Sequence, residues 1–270
     1  FLFCSFLMGS AYSENITGDN TVNSTSNNNT TQKKFNADGT SLTISESTTL
    51  STDSSQTVNI FTKNNGTVTV ESGSSIFSNG ALSSNAIQGK NQSGLTVTNS
   101  GTISAGNSKA INLLDATNSI ITNNTGGIIK SNTNTITVTA TNDNDANNVT
   151  INNSGEIYAY STDPAADSAA IKSEDDTDNI TIINNSGGYI HNNNDNENAF
   201  RGSTVFVSAV STATFTNSGT IENKAGVDGF ALGLNGSGVT VNLKDKGKVI
   251  GRISIEGSGH TIKLQHGAGQ

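Results

Sequence analysis

A short phrase, in which apolar and polar residues alternate before an Asn-x-Gly turn, recurs along this chain of 270 residues. Five clear copies occur at 95–103, 119–128, 149–157, 180–190 and 213–221, and weaker copies flank them at 59–68 and 239–249. From Gly101 to Gly247, the glycines of successive phrases are 25 to 32 residues apart. A repeat of this length indicates a stack of similar structural units, each of which contacts only its neighbours.

Each phrase has the period of a β-strand with one buried face. In one copy, the residues that fall on the same face are Leu95, Val97, Asn99, Gly101 and Ile103. This follows because successive residues of a strand point to opposite sides. A second apolar stretch follows each phrase, and no segment has a long apolar period of 3.6 residues. The sequence therefore predicts an all-β fold, a parallel β-helix (β-solenoid) of about seven to eight irregular coils.

The asparagine of each phrase is expected to stack on the asparagines of neighbouring coils. A side-chain amide can donate to the coil on one side and accept from the coil on the other, which makes a ladder. The glycine two residues later would permit the backbone conformation of the turn. The residues assigned to this structural turn ladder are Asn99, Asn124, Asn153, Asn185 and Asn217, with Gly101, Gly126, Gly155, Gly187 and Gly219.

The composition excludes one class of partner and gives no sign of a cofactor. Hydrophobic residues make up 32% of the chain, and 14 basic against 22 acidic side chains give a pI near 4.7. Nucleic-acid binding needs clustered Lys and Arg, so no nucleic-acid partner is expected. No stretch after the first residues is apolar enough to span a bilayer, so we expect no transmembrane helix in the mature chain. We also expect no bound cofactor.

The chain divides into three regions by composition. Residues 1–13, FLFCSFLMGSAYS, are apolar and end in a small-x-small sequence, so they are interpreted as a signal-peptide remnant, with an apolar first strand as the alternative. Cys4 is the single cysteine, so the mature chain would contain no disulfide. Residues 14–40 are rich in Asn, Thr and Ser and are expected to be a flexible leader. Residues 41–270 are the expected β-helical domain, interpreted as truncated at its C-terminus.

Four features point to one protein family. They are the repeated V-x-V-x-N-S-G-x-I phrase, the acidic Asn-, Thr- and Ser-rich body, the signal-like start, and the closing stretch GKVIGRISIEGSGHTIKLQHGAGQ at 247–270. Together, over roughly residues 57–270, they resemble the passenger region of a bacterial type V autotransporter. The resemblance implies a right-handed β-helix at the cell surface, the outer membrane or the exterior of a Gram-negative-type bacterium. It also implies export through a C-terminal outer-membrane β-barrel, which is expected beyond Gln270.

Secreted enzymes that cleave polysaccharides also use parallel β-helices, so a lyase or hydrolase is the alternative function. Sugar-cleaving sites need paired carboxylates on one face, whereas eight of the 22 acids here cluster in three polar insertions. These acids are Asp143 and Asp145, then Glu174, Asp175, Asp176 and Asp178, and finally Asp195 and Glu197. Asp175, Asp176 and Asp178 are the candidates for a Ca²⁺ site, but no Ca²⁺-binding motif is present, and a solvated turn is the favoured interpretation.

The histidines give no catalytic motif. His191, His260 and His266 are the only ones, and no GxSxG or HExxH phrase accompanies them. His191 is interpreted as a solvated residue of a polar loop. The sequence therefore predicts a protein without catalytic or metal-binding residues, an extracellular structural or adhesive stalk whose ligand is unknown. Part of a fibre-type adhesin is a further alternative, although the shorter repeats and heptads of a trimeric adhesin are not visible.

Overall fold

The fold is a parallel β-helix. The computed structural model describes residues 13–23, 30–53, 55–80, 84–141, 146–161, 167–174, 177–193, 200–209 and 212–265. Within these ranges nearly all regular structure is strand, and the helical segments are two short 3-10 turns, Phe200–Gly202 and Gly226–Asp228. Three long sheets contain only parallel strand pairs. The predicted fold class is thus confirmed.

The first sheet contains ten strands, one from each successive coil. They are β1 (Ser13–Ile16), β3 (Gln32–Phe35), β6 (Val58–Phe61), β9 (Ile87–Ser93), β12 (Ile111–Thr117), β15 (Ile136–Thr139), β19 (Ile171–Glu174), β23 (Val205–Ala209), β26 (Phe230–Gly236) and β29 (Arg252–Ile255).

The second sheet also contains ten strands and carries the alternating phrase of the sequence. They are β2 (Asp19–Val22), β4 (Ser41–Ile44), β7 (Thr67–Val70), β10 (Thr96–Asn99), β13 (Ile120–Asn123), β17 (Thr150–Asn153), β21 (Ile180–Asn184), β24 (Ala213–Asn217), β27 (Val239–Leu243) and β30 (Thr261–Leu264).

The third sheet contains eight strands. They are β5 (Thr49–Thr52), β8 (Ser75–Ser78), β11 (Thr102–Ala105), β14 (Ile128–Ser131), β18 (Glu156–Ala159), β22 (Tyr189–Asn192), β25 (Thr220–Asn223) and β28 (Lys248–Ile250). A two-stranded sheet of β16 (Ala146–Asn147) and β20 (Thr177–Asp178) lies between the first and second sheets along the chain.

These sheets give eight coils with a strand in every sheet, plus an incomplete coil at each end of the described chain. The expected seven to eight coils therefore match the complete ones. Neighbouring strands of a sheet lie about 4.8 Å apart, so ten strands extend over about 43 Å. Among the described residues, no helix has the length and apolar character needed to cross a membrane.

The core is a set of aliphatic columns that run along the stack. In the second sheet, one inward position is apolar in coil after coil and at most 1% exposed, from Leu42 through Val68, Val97, Ile121, Ile151, Ile182 and Phe215 to Val241. Each such side chain contributes about 1.5–3 kcal/mol when buried. Alternation of these residues with polar ones is what selects strands over helices here.

The stack begins earlier than the sequence analysis expected. Strands β1, β2 and β3 lie within the region interpreted as a flexible leader, and they pair in register with the strands that follow them. Ile16, Val22 and Phe35 supply the buried side chains of this region. Residue 41 is therefore not the start of the β-helix. Of the expected signal remnant, only Ser13 belongs to the described residues.

The two ends of the described stack differ in polarity. In the first complete coil, Lys33 occupies an inward position of the first sheet and forms an ion pair with Glu14 of the incomplete coil before it. At the last coil, the inward positions are apolar, and Ile255 and Leu264 are 49% and 69% exposed. One column of the first sheet thus ends in a polar pair on one side, whereas the columns on the other side end in exposed aliphatic side chains.

Candidate functional site

Buried asparagines form a continuous column at the corner between the second and third sheets. Each lies at the end of a strand of the second sheet and has no exposed surface. The Nδ2 atom of each donates to the Oδ1 atom of the next, over N···O distances of 2.8 or 2.9 Å. The members of this asparagine column are Asn99, Asn123, Asn153, Asn184 and Asn217.

Four of the five amides also bind a carbonyl of the turn that follows them, namely Asn99, Asn123, Asn153 and Asn184. Asn123 Nδ2 donates to the carbonyl oxygens of Gly127 and Glu156, at 3.1 Å in both cases. Gly127 belongs to the same coil, whereas Glu156 begins a strand of the next coil. A buried carbonyl needs a hydrogen-bond donor, and here one side chain supplies it to two coils. The column therefore fixes both the corner and the distance between coils.

Two of the expected ladder residues lie outside the column. Asn124 and Asn185 directly follow column residues, and their Nδ2 atoms donate to the hydroxyl oxygens of Ser100 and Ser154 at 2.9 and 3.0 Å. The reason is turn length. In these two coils four residues separate the column asparagine from the next strand, whereas two residues do so in the other three. Counting back two residues from the first glycine of the longer turn therefore selects the wrong asparagine.

The glycines of these turns serve two different purposes. Gly101, Gly155 and Gly219 precede a strand of the third sheet, and a Cβ atom there would lie 2.2 or 2.3 Å from a backbone oxygen of the preceding coil. Gly126 and Gly187 instead have φ angles of +82° and +85°, with open space around the Cβ position. The expected conformational role applies to this second pair. In their coils, the close approach is made by the glycine that follows each of them.

Aliphatic residues stand at both ends of the column. Val70 holds the equivalent place in the coil before Asn99, and Leu243 holds it in the coil after Asn217. Asn99 Oδ1 is buried and has no hydrogen-bond partner, because a valine cannot donate to it. At the other end, Asn217 Nδ2 donates to the carbonyl of Lys248 at 3.0 Å. The column has a direction, and its unpaired acceptor lies at the Asn99 end.

A second cluster lies on the outward face of the third sheet, and we call it the tyrosine cluster: Tyr158, Tyr189 and His191. The ring of His191 stacks on both tyrosine rings, with centroid distances of 4.6 Å to Tyr158 and 4.4 Å to Tyr189. Tyr158 and His191 are register partners on β18 and β22. The alternate residues Ile157 and Ile190 are buried in the core, which turns the three rings outward.

Charged side chains surround the tyrosine cluster. His191 Nε2 lies 2.8 Å from Glu156 Oε1, and since a carboxylate only accepts, Nε2 carries the donated proton. The Tyr189 hydroxyl donates to Glu222 and accepts from Lys224, whose ammonium also lies 2.8 Å from Glu222. Lys224 lies 5.1 Å from the centroid of the Tyr189 ring. The cluster is therefore a closed network of aromatic and charged groups.

The network stabilises its groups in their usual charge states. Burial, followed by the hydrogen bond to Glu222, raises the pKa of the Tyr189 hydroxyl. Burial alone would raise the pKa of Glu222, but the hydrogen bonds from Lys224 and Tyr189 outweigh it and lower that pKa. The hydrogen bonds that Lys224 donates, first to Glu222 and then to Tyr189, raise the pKa of Lys224. At neutral pH the tyrosine is neutral and the Glu222–Lys224 pair is charged.

The interpretation of His191 as a solvated loop residue was wrong. His191 lies within β22 and is only 6% exposed, because two aromatic rings cover its faces. The strand continues beyond it to Asn192. Alignment of the phrases on Gly155 and Gly188 would have placed Tyr158 and His191 side by side. Alignment on Gly187 shifts the register by one residue and places Ile190, not His191, beside Tyr158.

Most acids of the polar insertions lie outside the described residues. These are Asp143, Asp145, Asp175, Asp176, Asp195 and Glu197. Asp178, the remaining Ca²⁺ candidate, lies in β20 opposite Asn147. The Glu174 carboxylate lies 3.1 Å from the Lys172 ammonium and 3.6 Å from the Arg201 guanidinium. The described part of the chain contains no group of three or more residues suited to hold a metal ion.

Comparison with known proteins yields no relative. No family model matches the chain, and neither the curated proteins nor the solved structures include a match.

Proposed function

We propose that this chain is an exported, surface-displayed or secreted β-helical stalk that acts as a structural or adhesive protein, as the passenger of an autotransporter does. The observation that carries the proposal is the asparagine column. Five coils are joined by buried amide hydrogen bonds in addition to their sheets, without a cysteine in the described residues. Such a stack is a stiff rod that needs no oxidative cross-link, which suits a spacer outside the cell.

The chemistry of the tyrosine cluster supports a non-catalytic role. A general acid or base works best when its pKa lies near the working pH. Here the shifts at Tyr189, Glu222 and Lys224 all move the pKa values away from neutrality. His191 is covered on both faces and bonded to Glu156, so its ring has little access to a substrate. We interpret the cluster as a surface that holds coils together and presents aromatic rings.

The outward faces of the sheets offer surface for adhesion. A cleft of about 300 Å³ lies beside Tyr189 and Glu156, and its other borders are turn residues from Thr125 to Ile128 and Ser154, Gly155 and Gly187. The ring of Tyr189 offers an apolar contact, and the polar groups beside it can orient a ligand. Many copies of the chain displayed on one surface would then give strength by avidity.

One experiment separates the stalk from the alternative polysaccharide enzyme. The purified full chain is immobilised on beads and offered glycan-bearing cells and a panel of acidic and neutral polysaccharides. We expect retention of a polysaccharide or of glycan-bearing cells without release of reducing ends or unsaturated products. Product release that is abolished by Glu156→Gln or Glu222→Gln, with the wild-type melting curve retained, would establish an enzyme and overturn the proposal.

Export is tested separately in the source bacterium. Antibodies against residues 41–265 should label intact cells or the culture medium to the same extent as permeabilised cells. Labelling that requires permeabilisation would contradict display outside the cell. This result would leave the β-helical fold untouched.

A further inference from the structure

An open cavity of about 320 Å³ lies on the outward face of the first sheet, apart from the tyrosine cluster. Strands β6, β9 and β12 form its floor, where Asn59, Gln88 and Asn112 are register partners in three successive coils. Gln56 and Asn85 also line it. Five carboxamide side chains thus converge on one cavity. Carboxamides both donate and accept, which is the chemistry that recognises hydroxyl groups.

One of these amides has an unmet hydrogen bond. Gln88 Oε1 accepts from Asn85 Nδ2 at 2.6 Å and from Asn112 Nδ2 at 2.9 Å, so the three amides hold one another in place. Asn112 is 7% exposed, and its Oδ1 atom is buried without a partner. A buried acceptor of this kind normally has a donor. A small rotation of the Asn112 side chain would present this acceptor to the hydroxyl group of a ligand in the cavity.

The charge of the cavity is positive, although the whole chain has a formal charge of −8. Lys90 and Lys109 line it, and none of the described residues that line it is acidic. Neither ammonium group forms an ion pair with a carboxylate of the described chain. Burial, and then repulsion from Lys172, lower the pKa of Lys109, with Glu174 opposing them. An anion bound in the cavity would relieve this cost.

An aromatic ring completes the lining. Phe61 is 43% exposed at the edge of the cavity, and the Lys90 ammonium lies 5.8 Å from its ring centroid. An exposed phenyl face packs well against the C–H face of a sugar ring. The cavity thus offers three kinds of contact that match an acidic sugar. Amides can bind its hydroxyls, two cations can bind its anionic group, and one aromatic face can pack against its ring.

We propose that this cavity binds a carboxylate-bearing sugar unit of a glycan. Lys90 and Lys109 bind the carboxylate, the amides of Gln88 and Asn112 bind hydroxyls, and Phe61 packs on the ring. This inference rests on the proposed adhesive function and names the ligand class for it.

The test is isothermal titration of the full chain with oligosaccharides that contain glucuronic acid, alongside their carboxyl-reduced, neutral analogues. We expect binding of the acidic ligand at least about 10-fold tighter than that of the neutral one, since charged hydrogen bonds are lost in the analogue. A second arm uses sialyllactose against lactose, which distinguishes the two common types of acidic sugar. The affinity should fall as NaCl is raised, because salt screens the cations.

Three variants locate the site. Lys109→Gln and Phe61→Ala should each weaken binding at least about 10-fold. Phe61 is exposed, so its variant keeps the fold, and thermal melting checks Lys109→Gln. Lys130→Gln, a lysine on the third sheet, is the matched control and should leave the affinity within about two-fold.

Equal affinity for acidic and neutral ligands, or unchanged binding in Lys109→Gln and Phe61→Ala, would overturn the site. So would the absence of wild-type binding at millimolar ligand. If the immobilised chain still retains glycan-bearing cells in that case, the adhesive function stands and only this site is excluded. If the chain retains neither cells nor polysaccharide, adhesion fails and a purely structural stalk is left.

Discussion

The corner between the second and third sheets is filled by amide side chains in the coils of the asparagine column and by aliphatic side chains in the coils next to them. At the corner between the second and third sheets, Asn99 and Asn217 are the outermost amides, and Val70 and Leu243 hold the same place one coil further on. The backbone register continues unchanged across both boundaries. An amide is therefore not needed to make the corner, since an aliphatic side chain fits there as well.

The difference shows what makes a buried amide tolerable. An amide inside the column is satisfied by its two neighbours, whereas an isolated one would leave buried polar atoms unpaired. Asn99 Oδ1 is buried without a hydrogen-bond donor, because its neighbour at this end of the column is Val70. We infer that amides at this corner stabilise one another as a group. The main predictions below run from the largest expected effect to the smallest, two of them followed by a control, and those on the asparagines test that inference.

Gly155→Ala should have the largest effect, because the glycine allows the coils to approach at all. A Cβ atom would lie 2.3 Å from the carbonyl oxygen of Gly127 and 2.5 Å from that of Asn124, and both are backbone atoms that cannot move alone. We expect a loss of about 4 kcal/mol in the free energy of unfolding, measured by urea denaturation.

Gly126→Ala is the matched control for this steric argument. Its Cβ atom meets open space, and only the φ angle of +82° is unfavourable. We expect a loss of about 1 kcal/mol. A loss at Gly126 equal to that at Gly155 would mean that backbone conformation, and not close approach, explains both glycines.

Asn153→Leu tests the middle of the column. Leucine occupies the same place as Leu243 does elsewhere, so the side chain fits, but Asn184 Oδ1 loses its donor and Gly155 loses a bond to its carbonyl. We expect a loss of about 3 kcal/mol in the free energy of unfolding. Because each coil contacts only its neighbours, hydrogen exchange should increase first in the two adjacent coils.

Asn124→Ala is the control for Asn153→Leu. Asn124 was expected in the ladder, but it lies one residue outside the column and donates only to Ser100 Oγ among the bonds described. Its loss should cost about 0.5 kcal/mol. A cost as large as that of Asn153→Leu would mean that the column extends beyond the residues whose amides touch one another.

The sequence predicts the fold well because strand period and repeat are properties of local spacing. It does not predict register, because register depends on the number of residues in each turn. The pairs at 123–124 and 184–185 both read Asn-Asn, and only the length of the turn decides which member is buried. The same ambiguity hid the stacking of Tyr158 on His191, which lie 33 residues apart.

Other features leave no pattern in the sequence. The first coil was interpreted as leader because its apolar residues are sparse, yet Ile16, Val22 and Phe35 are enough when the next coil covers them. The amide-lined cavity arises from outward positions of different coils, and neither Gln88 nor Asn112 belongs to the recurrent phrase. Contacts across coils are set by the stack, so they appear only once the stack is known.

Of the two changes within the column, Asn99→Val should have the smaller effect, and it tests the group behaviour of the column most directly. Valine matches Val70 of the preceding coil, and the change removes the buried, unpaired Oδ1 of Asn99. Asn123 Oδ1 then loses its donor, so the unpaired acceptor moves by one coil and their number stays the same. The bonds from Asn99 to the carbonyls of Gly101 and Ile128, at 3.2 and 3.1 Å, are also lost. We therefore expect a loss of about 1 kcal/mol in urea denaturation, clearly less than for Asn153→Leu. Equal losses would show that each amide acts through its own turn, and that bonds between the amides contribute little to the stability of the stack.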